Sequence, residues 1–345
     1  MRHALPTLSH PRTELVAHVT PCTRLNRLSK HFGIDLWVKR DDLAGTTLGG
    51  NKSRQLEFYF GAAQAADADT VLITGAVQSN FVRTTVAAAN ALGMRAVVQL
   101  EDRVAGMSDT YHHSGNAWLT EMLGAEIMRY PEGEDEAGAD AALRARADRL
   151  RAEGHRPYVI PLAAGNPPLG ALGYVRSAAE IHTAHPDVDA VVVPSGSGMT
   201  HVGTVAGLRA CGNTAPVIGS CVRRPEAAQR ARLRHTLDHL VEIEPTLPRL
   251  PDADIQLWDG ALSPGYGRAG ETALDAMRLM GLHEGMLLDP VYSGKAFAAI
   301  PALLEGGTVR PGQKVVFVHT GGLGGLFAYA DSVFPVTPGG PDSQG

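Results

Sequence analysis

Cysteine is scarce in this chain: Cys22, Cys211 and Cys221 are its three thiols in 345 residues. They are odd in number and widely spaced. Neither a disulfide framework nor a zinc ligand set is expected, and the thiols read as small buried hydrophobes in a reduced, cytoplasmic setting. Long apolar runs are also missing. No stretch reaches the roughly 18 residues that mark a membrane-spanning helix, and the opening MRHALPTLSHPRTELVAHV has no apolar core of the signal-peptide kind. Charge of one sign does not dominate: 31 Lys and Arg face 36 Asp and Glu, for a net −5. That balance gives no reason to expect nucleic acid or a membrane as partner. No repeat of fixed period stands out.

What is present is an alternation of two patterns. Short β-rich apolar runs, IDLWVKR, TVLIT, RAVVQL, PYVIP, AVVVP, APVIGSCV and KVVFVHT, are separated by helix-length stretches such as QSNFVRTTVAAANALG, SGNAWLTEMLG, EDEAGADAALRARADRLRAEG and GYVRSAAEIHTA. Strands spaced by helices imply βαβ units and an α/β fold of mainly parallel twisted sheets flanked by helices. At this length two domains are expected. Residues 1–52 together with 169–345 form the larger, and 53–168 the smaller, with the Gly/Pro-rich AAGNPPLG as the crossing point. A ligand site is expected between them, at the C-terminal ends of the strands. The tail FPVTPGGPDSQG reads as frayed.

Three loops carry chemistry. In WVKRDDLAGTTLGGNKSRQLEF, a Gly-rich loop sets Lys52 at the start of a helix, where the positive end of the dipole lowers an amine's pKa and favours nucleophilic attack on an aldehyde. Alone, Lys52 reads as a solvated first-turn residue. In VLITGAVQSNFV, Gln78, Ser79 and Asn80 precede a small-residue helix whose first N–H groups suit a carboxylate, although the same residues are ordinary helix caps. In VVVPSGSGMTHVG, a Gly/Ser turn leads into another helix and forms a phosphate cradle, or a tight turn without ligand. It lacks the GK[ST] ending of a P-loop and the spacing of G-x-G-x-x-G.

Six motifs in order, GGNKSRQLE, QSN, SGSGMTH, LSPGYG, LDPVYSGKAF and HTGGLGGLFAY, resemble the D-cysteine desulfhydrase and 1-aminocyclopropane-1-carboxylate deaminase family over roughly Pro21 to Tyr329. These are two-domain fold-type II pyridoxal 5′-phosphate (PLP) enzymes of the tryptophan synthase β type. The resemblance implies that Lys52 carries PLP as a Schiff base and moves protons at the substrate Cα. It implies that Asn80 hydrogen-bonds the cofactor's phenolic oxygen, and that Ser197, Gly198, Met199 and Thr200 cradle its phosphate. Ser293 and Thr320 would meet the pyridine nitrogen. Ser79, with Gln78 and Asn80 beside it, would hold the substrate carboxylate, and Ser79 would relay a proton. Tyr266 and Tyr292 would face the substrate. A small amino-acid substrate and a homodimer are implied too, and no metal.

Two positions depart from the family pattern. Met199 stands where relatives usually carry glycine, and strains the turn if φ there is positive. Phe81 stands where relatives often have histidine. The deaminase branch typically places glutamate after the second tyrosine, at the pyridine nitrogen; here that residue is Ser293. A hydroxyl holds a proton on the nitrogen less well than a carboxylate and leaves a weaker electron sink, which suits expulsion of a β leaving group better than ring opening. The expected activity is therefore D-cysteine desulfhydrase-like α,β-elimination to pyruvate, sulfide and ammonia. The rivals are cyclopropane deamination, L-cysteate sulfo-lyase activity, a non-catalytic PLP-binding protein and a nucleotide-binding Rossmann protein. His201 and His319 are expected to pack or cap.

Overall fold

The computed structural model describes residues 7–133, 135–163 and 165–333. The tail expected to be frayed and Ala164 of the AAGNPPLG segment lie outside the described residues. Among the described residues, ten strands occur in the order β1 (Cys22–Arg24), β2 (Asp35–Lys39), β3 (Thr70–Ala76), β4 (Arg95–Glu101), β5 (Glu126–Tyr130), β6 (Pro157–Ile160), β7 (Ala190–Ser195), β8 (Val217–Cys221), β9 (Gln256–Trp258) and β10 (Lys314–Val318). The helices that matter below are α1 (Asn26–Phe32), α2 (Asn51–Ala65), α3 (Asn80–Ala91), α4 (Asp109–His113), α5 (Gly115–Met122), α6 (Glu136–Ala152), α7 (Leu169–Ala184), α8 (Met199–Ala210), α9 (Glu226–Ile243), α10 (Glu271–Glu284) and α11 (Ser293–Phe297).

The strands form two sheets, ordered β1-β2-β10-β7-β8-β9 and β5-β4-β3-β6. Every pairing is parallel except β1 with β2. The α/β architecture with parallel sheets flanked by helices is thus as the alternation implied. Parallel sheets need cover on both faces. Accordingly β3, β7 and β8 are buried at every residue, with the VVV of β7 and the VVFV of β10 at the centre of the larger sheet.

Helix α7 brings two functional loops together. It lies against both α2, which begins beside Lys52, and α8, which begins at the SGSG turn. Glycine makes the approach possible on both sides. A Cβ at Gly173 would sit 2.1 Å from the carbonyl oxygen of Arg54 on α2, and one at Gly203 of α8 would sit 2.1 Å from that of Ala171 on α7. A buried ion network fixes the α2 end. Arg54 bonds Asp41 at 3.0 Å and Glu180 at 2.7 Å, Glu180 also receives Lys39 at 2.6 Å, and Tyr174 donates to Asp41 at 2.9 Å. Such a network is costly to break because each partner lost leaves a buried charge. Among the described residues, no helix is long and apolar enough to cross a membrane.

Candidate active site

Loops at the C-terminal ends of β3, β7 and β8 enclose a cavity together with the start of α2. Lys52, Ser79, Asn80, Ser197, Tyr266 and Tyr292 line it. Lys52 is the second residue of α2, after Gly50 at φ +118 has turned the chain. Its amine is bonded by no carboxylate among the described residues. It donates to Gln55 Oε1 at 3.3 Å and lies 5.1 Å from the centre of the Phe81 ring. Burial lowers its pKa to about 8, because the charged form loses hydration with no anion to replace it. Phe81, flagged as a departure, therefore forms the apolar wall over the amine.

Ser79 caps α3 and accepts from the N–H of Val82 at 3.2 Å. Asn80 follows as the first helical residue. Its Oδ1 accepts from Asn116 Nδ2 at 2.8 Å, which leaves its own Nδ2 as the donor toward the cavity. Gln78 is placed differently: it does not line the cavity, and its amide is spent as a brace. Oε1 accepts from the N–H of Asn116 at 2.8 Å, and Nε2 donates to the carbonyls of Tyr111 and Ser114 at 2.5 and 2.9 Å.

At the SGSGMT turn the left-handed residue is Gly198, at φ +102. Met199 is the first helical residue of α8, so the strain conditional on a positive φ does not arise. The first N–H groups of α8 have no carbonyl one turn back to bond. Ser197 reaches the cavity wall, and its carbonyl accepts from Arg232 Nε at 2.9 Å. Thr200 accepts from Asn51 Nδ2 at 2.9 Å and Gln55 Nε2 at 3.1 Å, which joins this turn directly to the Lys52 turn.

Tyr266 and Tyr292 face one another with hydroxyls 2.7 Å apart and rings 6.2 Å apart at 72°. Burial, reinforced by the neighbouring Tyr266, pushes Tyr292 well above the ordinary phenol value, so its proton is held at neutral pH. Ser293 is fully buried behind Tyr292 and outside the cavity lining. Its hydroxyl donates to Asp289 Oδ1 at 2.6 Å and accepts from the Asp289 N–H at 2.7 Å. The same carboxylate accepts from the N–H groups of Val291, Tyr292 and Ser293. Thr320 is buried, and its carbonyl accepts from the N–H of Asn51 at 3.1 Å. His201 is pinned between Ser195 Oγ and the Val217 carbonyl, each at 3.1 Å.

Residues not singled out in the sequence complete the wall: Arg103, Glu136, Arg223 and Arg232. Arg103 is held by Glu101, and Glu136 by three arginines, Arg223, Arg224 and Arg232. Arg103 and Arg223 each lie two residues beyond the C-terminal ends of β4 and β8, the positions where sites form in parallel sheets. That placement is the signal that could have found them.

The fit to PLP can be judged on this geometry. A buried amine whose pKa is lowered to about 8 suits an aldehyde. A helix start with a left-handed glycine, where a Cβ would sit 2.9 Å from Leu233 Cδ2, suits a phosphate. Residues 14–321 match the family model described as pyridoxal-phosphate dependent enzyme. D-cysteine desulfhydrases of Salmonella paratyphi C and Klebsiella pneumoniae are each 39% identical to the chain, with 92% of this chain and 96% of theirs covered. Among solved structures, an ACC deaminase homologue superposes with a TM-score of 0.84 at 34% identity, over 94% of this chain and 96% of that one. A fungal L-serine ammonia-lyase from Rhizomucor miehei shares the fold, with a TM-score of 0.66 at 18% identity over 93% and 100%.

Proposed function

The chain belongs to the pyridoxal-phosphate dependent enzyme family, and from that premise we propose that it is a D-cysteine desulfhydrase: a lyase that removes sulfide from D-cysteine by α,β-elimination and yields pyruvate and ammonia. The observation that carries this reading is the buried Lys52 amine, without a carboxylate partner, in one cavity with the Ser79, Tyr266 and Tyr292 hydroxyls.

When bound, PLP supplies the electron sink that lets the Cα proton leave and a β-substituent depart with its bonding pair. The residues do the rest. Lys52 would hold the cofactor, and its Nζ, with a pKa lowered to about 8 by burial, would exchange a proton with the substrate Cα. The first N–H groups of α3 and the Ser79 hydroxyl receive the substrate carboxylate, with Ser79 relaying a proton and Gln78 supporting it from behind through Asn116. Asn80, its Oδ1 taken by Asn116, would offer Nδ2 to the cofactor's phenolic oxygen. The amides of Ser197, Gly198, Met199 and Thr200 hold the phosphate. Tyr266 and Tyr292, sharing one hydroxyl hydrogen bond, hand a proton to the departing sulfur. By the resemblance Ser293 and Thr320 would meet the pyridine nitrogen; here both lie behind the cavity lining, and the Ser293 hydroxyl is donated to Asp289.

Elimination is favoured over ring opening by Ser293. The acid beside it, Asp289, already accepts four hydrogen bonds from Val291, Tyr292 and Ser293. Position 293 thus offers the nitrogen no carboxylate, only a hydroxyl whose proton is already given to Asp289. The two sheets correspond, in this reading, to a larger domain of residues 1–52 and 169–345 and a smaller one of 53–168. A homodimer would cover some of the large apolar side chains left at the surface, among them Leu43, Leu48, Leu287 and Phe327. The three unpaired cysteines suit the reducing cytoplasm.

The test is a substrate panel assayed for 2-oxo acid: D- and L-cysteine, β-chloro-D-alanine, D-serine, L-cysteate and 1-aminocyclopropane-1-carboxylate. The expected outcome is fast pyruvate release from D-cysteine and β-chloro-D-alanine and little 2-oxobutyrate from the cyclopropane acid. Efficient ring opening by the unmodified enzyme overturns the assignment, and so does PLP binding without turnover of any amino acid.

A further inference from the structure

We infer that Lys295 is a positioning residue that holds Tyr266 against Tyr292, and so sets the hydroxyl pair on which proton transfer to the departing group depends. The inference rests on the role given to the two tyrosines above.

The loop that carries Tyr266 cannot hold it alone. Gly265 has φ +133 and Gly267 has φ +71, so Tyr266 sits between two residues in backbone conformations that glycine enters at little cost. A Cβ at Gly265 would meet nothing within 4 Å, so packing does not confine that residue either. Val104 crowds the Gly267 side, where a Cβ would sit 2.4 Å from its Cγ2, and Arg223 lies 5.6 Å from the ring centre, so it is the Gly265 side that needs a restraining element from outside the loop.

Lys295 is that element. It lies on α11, three residues after Tyr292, and is fully buried. Its Nζ donates to the carbonyls of Leu262 at 3.0 Å and Gly265 at 2.7 Å. Those carbonyls bracket the Ser263–Pro264 step, and the second belongs to the residue immediately before Tyr266. The Leu262 carbonyl also receives the Gly265 N–H at 2.9 Å, so one oxygen ties the turn to itself and to the lysine. The other end of the strut is anchored. The Lys295 carbonyl accepts from Ser220 Oγ on β8 at 2.9 Å, and Asp289 caps the turn into α11. One side chain thus links the Tyr292 helix, itself fixed to the sheet, to the loop of Tyr266.

The chemistry is unusual for a purely structural contact. Burying an ammonium costs free energy unless an anion or several acceptors compensate. Here burial lowers the Lys295 pKa to about 8, Asp289 opposes that shift from farther off, and the acceptors at close range are two neutral carbonyls. Apolar packing would fill the space without that cost. What a methionine or leucine cannot supply is a pair of charge-assisted hydrogen bonds, which fix direction. Lys295 does not line the cavity and is not the cofactor lysine in this arrangement.

The experiment compares Lys295→Met, Tyr266→Phe and the double variant in the holoenzyme, with fluorotyrosine-labelled protein for NMR. Lys295→Met is expected to keep the cofactor absorbance and to lower kcat about ten- to hundred-fold while KM moves only a few-fold, since a small misplacement of a reacting group is costly. In the Tyr266→Phe background the same change should cost less than about three-fold, because the hydroxyl it serves is gone. The fluorine signals of Tyr266 and Tyr292 should shift or broaden in Lys295→Met with the other tyrosines unmoved. If methionine prevents folding, Lys295→Gln, which retains an amide donor, is read the same way. Additive losses in the double variant, or unperturbed signals from both tyrosines, overturn the inference. The spectrum reports the tyrosine pair whichever amino acid is turned over, so it separates failure here from failure of the proposed reaction.

Discussion

At the scale of single residues, the governing fact is that Lys52 is an amine made nucleophilic by its surroundings. Burial alone lowers its pKa to about 8. An ordinary lysine, near about 10.4, would be almost wholly protonated at neutral pH. The cofactor-free protein should therefore capture PLP at a rate that rises with pH and levels off above about 8, following the fraction of neutral amine. Stopped-flow absorbance of the yellow adduct measures this, and a rate that keeps climbing past pH 10 would show that the amine is not shielded. Lys52→Ala should give no such adduct at any pH. Alone, Lys52 reads as an ordinary first-turn residue; the six motifs in order made it visible. Phe81 was visible only as a departure from relatives, and its position above the amine depends on α3 folding back over α2. Gln78 shows the opposite limit. Its place in a motif beside Ser79 and Asn80 does not disclose that its amide is committed to Asn116, Tyr111 and Ser114, which come from α4, α5 and the residue joining them.

At the scale of elements, the start of α8 makes the phosphate cradle, and the backbone matters there more than the side chains. Gly198→Ala forces a Cβ into a left-handed conformation and to within 2.9 Å of Leu233 Cδ2. It should cost about 1–3 kcal/mol of stability and weaken PLP with it. Ser197→Pro removes an N–H and should weaken PLP more than it lowers the thermal midpoint. Thr200→Ala, which removes one hydroxyl that Asn51 and Gln55 orient, should raise the dissociation constant a few-fold to tens-fold. Equilibrium titration with PLP decides the matter, and parent-like affinity in all three places the cradle elsewhere. The central strands were legible because parallel strands buried on both faces read as continuous valine and isoleucine runs. What escaped was short or mixed. β1 and β9 have three residues each, and β5, EIMRY, is an edge strand of intermediate burial without a clean alternation. Helices α9 and α10 are rich in exposed charge around narrow apolar faces, so they stood out less than the alanine-rich helices.

At the scale of the whole molecule, the cavity lies between two sheets, and one carboxylate ties their flanks together across its mouth. Glu136 begins α6, beside the four-stranded sheet. Arg223 and Arg224 follow β8 of the six-stranded sheet, and Arg232 lies on α9. Glu136 meets them at 2.6, 2.8 and 3.2 Å. Arg232 adds a hydrogen bond to the Leu162 carbonyl and another to that of Ser197 at the phosphate turn. Burial works to raise the pKa of Glu136, but Arg232, Arg223 and Arg224 outweigh it and hold the carboxyl below its usual value. A carboxylate depressed in the folded state contributes stability that is fully present above its unfolded pKa of about 4.3 and is lost as pH falls through the folded value. Glu136→Gln keeps the shape, removes the charge and leaves three arginines crowded together. The group is partly exposed, so the effect is smaller than for a fully buried pair, about 1–2 kcal/mol, or a few degrees in thermal midpoint. The gap between parent and variant midpoints should be constant from neutral pH down to about 5 and close below it, and the variant should release PLP faster, because the Ser197 turn loses the support of a fixed Arg232. A gap that persists unchanged at pH 3, or none at pH 7, would show that the two flanks are held together by packing and that Glu136 contributes no more than a surface charge.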